Sequence, residues 1–155
     1  AAAYRMKSLE KTGWLDESFH MYLEDVDLSL RLQSAGFPCM YLAGAVVRHR
    51  EAASDPERSR NREALAFYSP NRVYRITRNR WLLMVTWQPW HHLPWLIYGW
   101  TRSFFFHLLK AGYAGDFLRG IRDGILGSRQ AWRKRTRIQA KSPVPVKVLC
   151  KMYQK

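Results

Sequence analysis

The run Tyr22-Leu23-Glu24-Asp25-Val26-Asp27-Leu28 places three carboxylates within four positions, at the mouth of an apolar helical pattern. Acids in a first helical turn meet the positive end of the helix dipole, worth roughly 0.3–1 kcal/mol each. Crowded carboxylates also raise one another's pKa toward the range a general base needs. The residues alone leave both roles open: a helix start, or a base at Asp25. Phe19-His20-Met21-Tyr22 come just before and offer aromatic surface that could wall a pocket. Asp27 and Arg31 are four apart, can pair along the helix, and read as structural.

The elements that must position these residues follow from periodicity. Leu28, Leu32 and Ala35 share one face, and Gly36 offers a stop, so a helix is expected over about 24–35. Upstream, residues 1–6 alternate weakly as a short strand. Ser8 to Thr12 read as a short helix capped by Ser8 and stopped by Gly13. Trp14 to Glu17 lead into a loop. Downstream, Phe37 to Val47 is rich in strand formers around Gly44, a strand or strand-turn-strand that ends at Arg48-His49-Arg50. On residues alone, His49 is a polar group at a sheet end. Residues 51–63 are polar and read as a loop. Ser69-Pro70 signals a helix start. The helix from Asn71 to Arg80 sets Arg72, Arg75 and Arg78 at steps of three on one basic face. Asp116 to Trp132 forms another helix, with Phe117, Ile121 and Ile125 at steps of four. Gly120, Gly124 and Gly127 weaken that helix but permit close packing.

Leu15-Asp16-Glu17-Ser18-Phe19, Tyr22 to Leu28, Arg31, Ala35-Gly36-Phe37, Tyr41 and Val47-Arg48-His49, in this order, resemble family 2 glycosyltransferases with the GT-A fold. The resemblance is closest to the bacterial rhamnosyltransferase-like branch that builds cell-surface polysaccharide, and it is dense over about residues 1–80. It implies an α/β fold. The expected form is the C-terminal half of a GT-A (Rossmann-like) domain with a short mixed sheet, followed by a mainly α-helical, aromatic-rich C-terminal region. It implies inverting transfer of a sugar from a nucleotide-diphosphate donor to an acceptor hydroxyl. Asp25 would be the base, with Glu24 supporting it. His49 would complete a divalent-metal site (Mg²⁺ or Mn²⁺), and His20 and Tyr22 would lie near the acceptor. Arg58, Arg60 and Arg62 would meet donor phosphate, although a solvated charged loop explains them equally well. The partners implied are a nucleotide sugar and a glycan or lipid-linked acceptor.

The chain opens Ala1-Ala2-Ala3-Tyr4, with no Met and no signal-peptide pattern, and reads as beginning within a domain. The family's nucleotide-binding half and its acidic metal motif have no counterpart here, so these 155 residues are expected to be inactive alone. Three segments are expected: an acceptor-side portion of the catalytic domain over 1–63, a helical membrane-surface region over 64–141 and an extended tail over 142–155.

Charge separates the halves. The first 50 residues balance six basic against six acidic groups, so the whole excess of +14 lies in the remainder. Such a half suits an anionic partner. Five of the seven tryptophans fall within 81–109. Trp and Tyr favour the headgroup level of a bilayer, while Pro89, Pro94 and Arg102 oppose a clean span. Helices lying in the interface, or a shallow re-entrant pair, are expected over a simple span, with an ordinary aromatic core as the plain alternative. The basic run from Arg129 to Lys141 reads as a solvated tail, or as a lipid contact beside that belt. Together with the resemblance to a bacterial family, this makes a peripheral place on the cytoplasmic face of the inner membrane the expectation. A nucleic-acid module is the competing class, disfavoured because the aromatics cluster in apolar runs rather than between basic residues. Cys39 and Cys150 lack a CxxC neighbour, which argues against a metal knuckle. Cys39 is expected to be a buried thiol in reducing surroundings.

Overall fold

Gly120, Gly124 and Gly127 recur at helical spacing, so one face of their helix carries almost no side-chain bulk. In the computed structural model, which describes residues 2–47 and 69–144, that bare ridge organises the molecule. A Cβ on Gly120 would lie 2.7 Å from the Tyr74 carbonyl oxygen, one on Gly124 2.7 Å from Trp81 Cβ, and one on Gly127 2.9 Å from Leu82 Cδ2. Two long helices are thereby pressed together. They are numbered within the five α-helices of the described residues: α1 Met6–Thr12, α2 Glu24–Ser34, α3 Pro70–Trp87, α4 Leu93–Phe106 and α5 Ala114–Lys141. Short 3-10 turns span Glu17–Phe19 and Trp90–His92, and a π-helical turn spans His107–Ala111.

The α3–α5 pair is the frame. Trp81 Nε1 donates to Ser128 Oγ at 2.9 Å and the Tyr74 hydroxyl to Asp123 at 2.9 Å. Arg135, almost wholly buried, donates to the carbonyls of Val85 and Gln88. A cation there meets the negative end of the α3 dipole. Ser69 caps α3 by accepting from the Arg72 N–H, and Pro70 follows at the first helical position, as the sequence predicts.

The N-terminal part docks on this frame through two small apolar clusters and holds a third of its own. Leu9, Leu28 and Leu32 pack together with Phe37. Phe19 sits among Leu82, Ala131 and Leu23. Trp87 gathers Leu30, Leu83 and Ile138. Burial of each such large side chain contributes about 1.5–3 kcal/mol. Beyond α5, Ser142 Oγ donates to the Ser34 carbonyl at 2.7 Å and closes the C-terminal end of α2 against the frame.

The α/β fold with a short mixed sheet is not what the chain forms: no strand occurs among the described residues. Phe37 to Val47 has strand-forming composition, yet Tyr41 is 91% and Val46 87% exposed. A strand needs a neighbouring strand for its backbone groups and a surface under its side chains, and no described segment provides either. Residues 2–5 are likewise exposed and carry no strand, and α1 begins at Met6 with Arg5 at the cap position. Ser8 does not cap it but is buried inside the helix. Gly13, at φ 84°, does end it. The run from Arg129 to Lys141 is helix rather than tail. Cys39 is exposed, not buried.

Candidate functional site

The acidic turn stands at the end of a strained segment. Asp16 Oδ1 accepts from the Ser18 N–H at 2.9 Å and caps the 3-10 turn. Then His20, Tyr22 and Leu23 take φ values of 58°, 71° and 69°. Such angles cost a residue with a Cβ on the order of 1–3 kcal/mol and persist only where the surroundings impose them.

Here α3 imposes them. The Asn79 amide, 1% exposed, donates toward three carbonyls: Phe19 at 2.9 Å, Met21 at 2.8 Å and Tyr22 at 2.9 Å. Arg78 donates to the Ser18 carbonyl and to Asn79 Oδ1. The Arg72 guanidinium lies 5.3 Å from the centre of the Tyr22 ring. Thus two members of the basic face that sequence spacing predicts on α3 hold the segment that leads into α2.

That segment delivers the three carboxylates to different surroundings. Asp25 is exposed, and its Oδ1 accepts from the Val26 N–H at 2.8 Å. Glu24 is half-buried, and its Oε2 is enclosed without a hydrogen-bond partner. Tyr4 faces this end of the helix: burial pushes its phenol pKa up, and the charges of Asp25 and Glu24 add to the effect. Asp27 points the other way and is fully buried. Its Oδ2 accepts from Arg31 at 2.9 Å and from Lys134 at 2.8 Å, and its Oδ1 from Trp87 Nε1 at 3.1 Å. Arg31 also donates to the carbonyls of Thr12, Gly13 and Trp14. Lys134 bridges to Asp16 at 2.6 Å. Burial alone would raise the Asp16 carboxyl, but hydrogen bonds from Lys134 and Ser18 outweigh it and hold the pKa below its usual 3.8. The pairing expected between Asp27 and Arg31 is therefore one arm of a larger buried network.

His20 is exposed and Tyr22 half-buried, both within the strained segment next to Asp25. The structure therefore groups Asp25, Glu24, His20 and Tyr22 at one turn. His49, Arg58, Arg60 and Arg62 lie outside the described residues. Among the described residues no three of His, Cys, Asp and Glu converge, and the metal expected at His49 falls outside them.

Asn79, Tyr4, Lys134 and Trp87 escape sequence reasoning. Asn79 alone left a trace: it shares a helical face with Leu82 and Thr86, where a polar side chain must be satisfied.

Comparison with known proteins adds one relationship. Over 50 residues the chain is 42% identical to N-acetylglucosaminyl-diphospho-decaprenol L-rhamnosyltransferase of Mycobacterium tuberculosis, in strains CDC 1551 / Oshkosh and ATCC 25618 / H37Rv alike. The matched stretch is 32% of this chain and only 16% of those proteins, which makes it a coarse glycosyltransferase relationship. No family model matches, and no solved structure does.

Proposed function

We propose that this chain supplies the acceptor-activating turn of a family 2-like glycosyltransferase. The enzyme would move a sugar from a nucleotide-diphosphate donor to an acceptor hydroxyl on a glycan or lipid-linked carrier. The observation that carries this reading is the exposed Asp25 carboxylate at the head of α2, fixed by a strained segment that α3 holds in place. Fixed geometry is what general-base catalysis requires.

In this reading one oxygen of Asp25 is anchored by the Val26 N–H and the other takes the hydroxyl proton. The deprotonating oxygen attacks the anomeric carbon from the face away from the leaving diphosphate, so the configuration inverts. Glu24, half-buried beside Asp25 at the same turn, orients the acceptor or its neighbouring hydroxyl. His20 and Tyr22 flank the acceptor. The partial likeness to an enzyme named for rhamnosyl transfer onto a diphospho-decaprenol carrier supports the transfer class. Rhamnose itself is the finer part of the proposal.

The setting we propose is the surface of an anionic membrane. No helix among the described residues is long and apolar enough to cross a bilayer. Yet α4 buries none of its residues, and Trp95 is 76% exposed beside exposed Ile97 and Tyr98. On α5, Leu118, Ile125 and Trp132 form an exposed stripe at steps of seven, with Arg122 and Arg129 between them. Apolar and cationic groups sharing an outer face suit the headgroup boundary.

The test is a transfer assay with the complete enzyme, a panel of nucleotide-diphosphate sugars and a lipid-diphosphate acceptor. An anomerically inverted product is expected. Hydrolysis only, or transfer with retention, would contradict the reading.

A further inference from the structure

Away from Asp25, the α1–α2 connection, α3 and α5 surround a cleft of about 680 Å³. Its α5 wall follows from register. Gln130, Arg133, Lys134 and Arg137 fall at i, i+3, i+4 and i+7, hence on one face, and all four line the cleft. Arg78 enters from α3. Trp14, 61% exposed, stands at the side contributed by the α1–α2 connection. Phe19, Leu82 and Ala131 form an apolar floor.

The cations here sort into two groups. Arg31 is matched by Asp27, and Lys134 by Asp27 and Asp16. Arg78, in contrast, donates only to neutral oxygens, those of the Ser18 carbonyl and the Asn79 side chain. Arg133 and Arg137 have no carboxylate within ion-pair distance among the described residues. Three guanidinium groups thus face one concavity without an ion-pair partner among the described residues, and the one carboxylate that lines it, Asp16, is taken up by Lys134. A cleft with a low-dielectric wall focuses such a field, and guanidinium is matched in shape to phosphate oxygens, which it binds through paired N–H groups.

We propose that this cleft is an anion site for the phosphate or diphosphate group of an organic phosphate ester. Arg78, Arg133 and Arg137 hold its oxygens, Gln130 donates an amide hydrogen, and Trp14 covers the attached organic part. The chemistry is shared by a soluble phosphate ester and a lipid headgroup. The site needs neither Asp25 nor the transfer reaction, so it stands or falls separately from the proposed function.

Two arms separate the sources. Inorganic diphosphate is titrated calorimetrically, and phosphatidylcholine vesicles with and without phosphatidic acid are co-sedimented with the protein. Each arm compares the parent with Arg133→Ala/Arg137→Ala and with Arg80→Ala, an exposed α3 cation that does not line the cleft. Arg133 and Arg137 are exposed, so the double variant should keep its helical circular dichroism and melting temperature. The proposal expects the double variant to weaken binding about tenfold or more in at least one arm, with Arg80→Ala near the parent. Diphosphate alone responding assigns a soluble ester; phosphatidic acid vesicles alone responding assign a headgroup. The site is refuted if neither ligand binds the parent, or if Arg80→Ala weakens binding as much as the double variant.

Discussion

Replacing Asn79 by alanine should release the segment that carries Asp25. The Asn79 amide has two hydrogens and three carbonyl oxygens within 2.9 Å, so it satisfies two bonds at a time. Loss of both leaves buried carbonyl groups unpaired, at about 1–3 kcal/mol each. Arg78 loses an acceptor as well. Meanwhile three residues with positive φ gain by relaxing, which limits the global loss but moves the turn. We expect Asn79→Ala to lower the unfolding free energy by about 2–4 kcal/mol in urea, with an unchanged m-value. Amide exchange at Met21, Tyr22 and Leu23 should accelerate more than in α5. Asn79→Asp keeps the size but removes both donors, and should cost at least as much. A loss below about 0.5 kcal/mol, with exchange at Met21 to Leu23 unchanged, would refute the argument that α3 holds this turn.

The glycine ridge predicts a pair of opposite signs. Gly120→Ala meets a backbone oxygen that cannot move aside and should destabilise by about 1–3 kcal/mol. Gly115→Ala, on the same helix with open space around it, should stabilise by about 0.5–1 kcal/mol, read from paired thermal melts. The pH dependence of stability should show Asp16. Its folded pKa lies below the unfolded value, so its contribution is full above about pH 3.8. That contribution is lost as pH falls through the folded pKa. Asp16→Asn should flatten the melting-temperature profile in that acid range and lower it at neutral pH, and an unaltered profile would contradict the Lys134 bridge. For the membrane face, Trp95→Glu with Ile125→Glu should abolish flotation with anionic vesicles while leaving the melt near the parent's. Retained flotation would remove this surface from consideration.

Local signals were readable where the physics is local. The dipole-favoured acids and the Gly36 stop mark α2 to within a residue, because capping depends on near neighbours. Ser69-Pro70 marks the start of α3 for the same reason. Asp27 with Arg31 was visible as an i, i+4 pair. Lys134 and Trp87 were not, since their contacts with Asp27 span 107 and 60 positions. The sheet was misread because Tyr41, Val46 and Val47 have β propensity, and propensity without a neighbouring strand does not make a ladder. The three positive φ angles sit on His20, Tyr22 and Leu23 rather than on glycine. No residue type announced the strain; only Asn79, a polar side chain on the face of Leu82 and Thr86, pointed toward its cause.

Turnover by Asp25→Asn in the complete enzyme, measured beside binding of the nucleotide sugar, tests the central claim most directly. The amide fills the same volume and still accepts from the Val26 N–H, but it cannot take a proton. The account predicts kcat lower by about 10²–10⁴-fold with donor affinity within a factor of about two. Normal kcat in that variant would show that another group removes the acceptor proton.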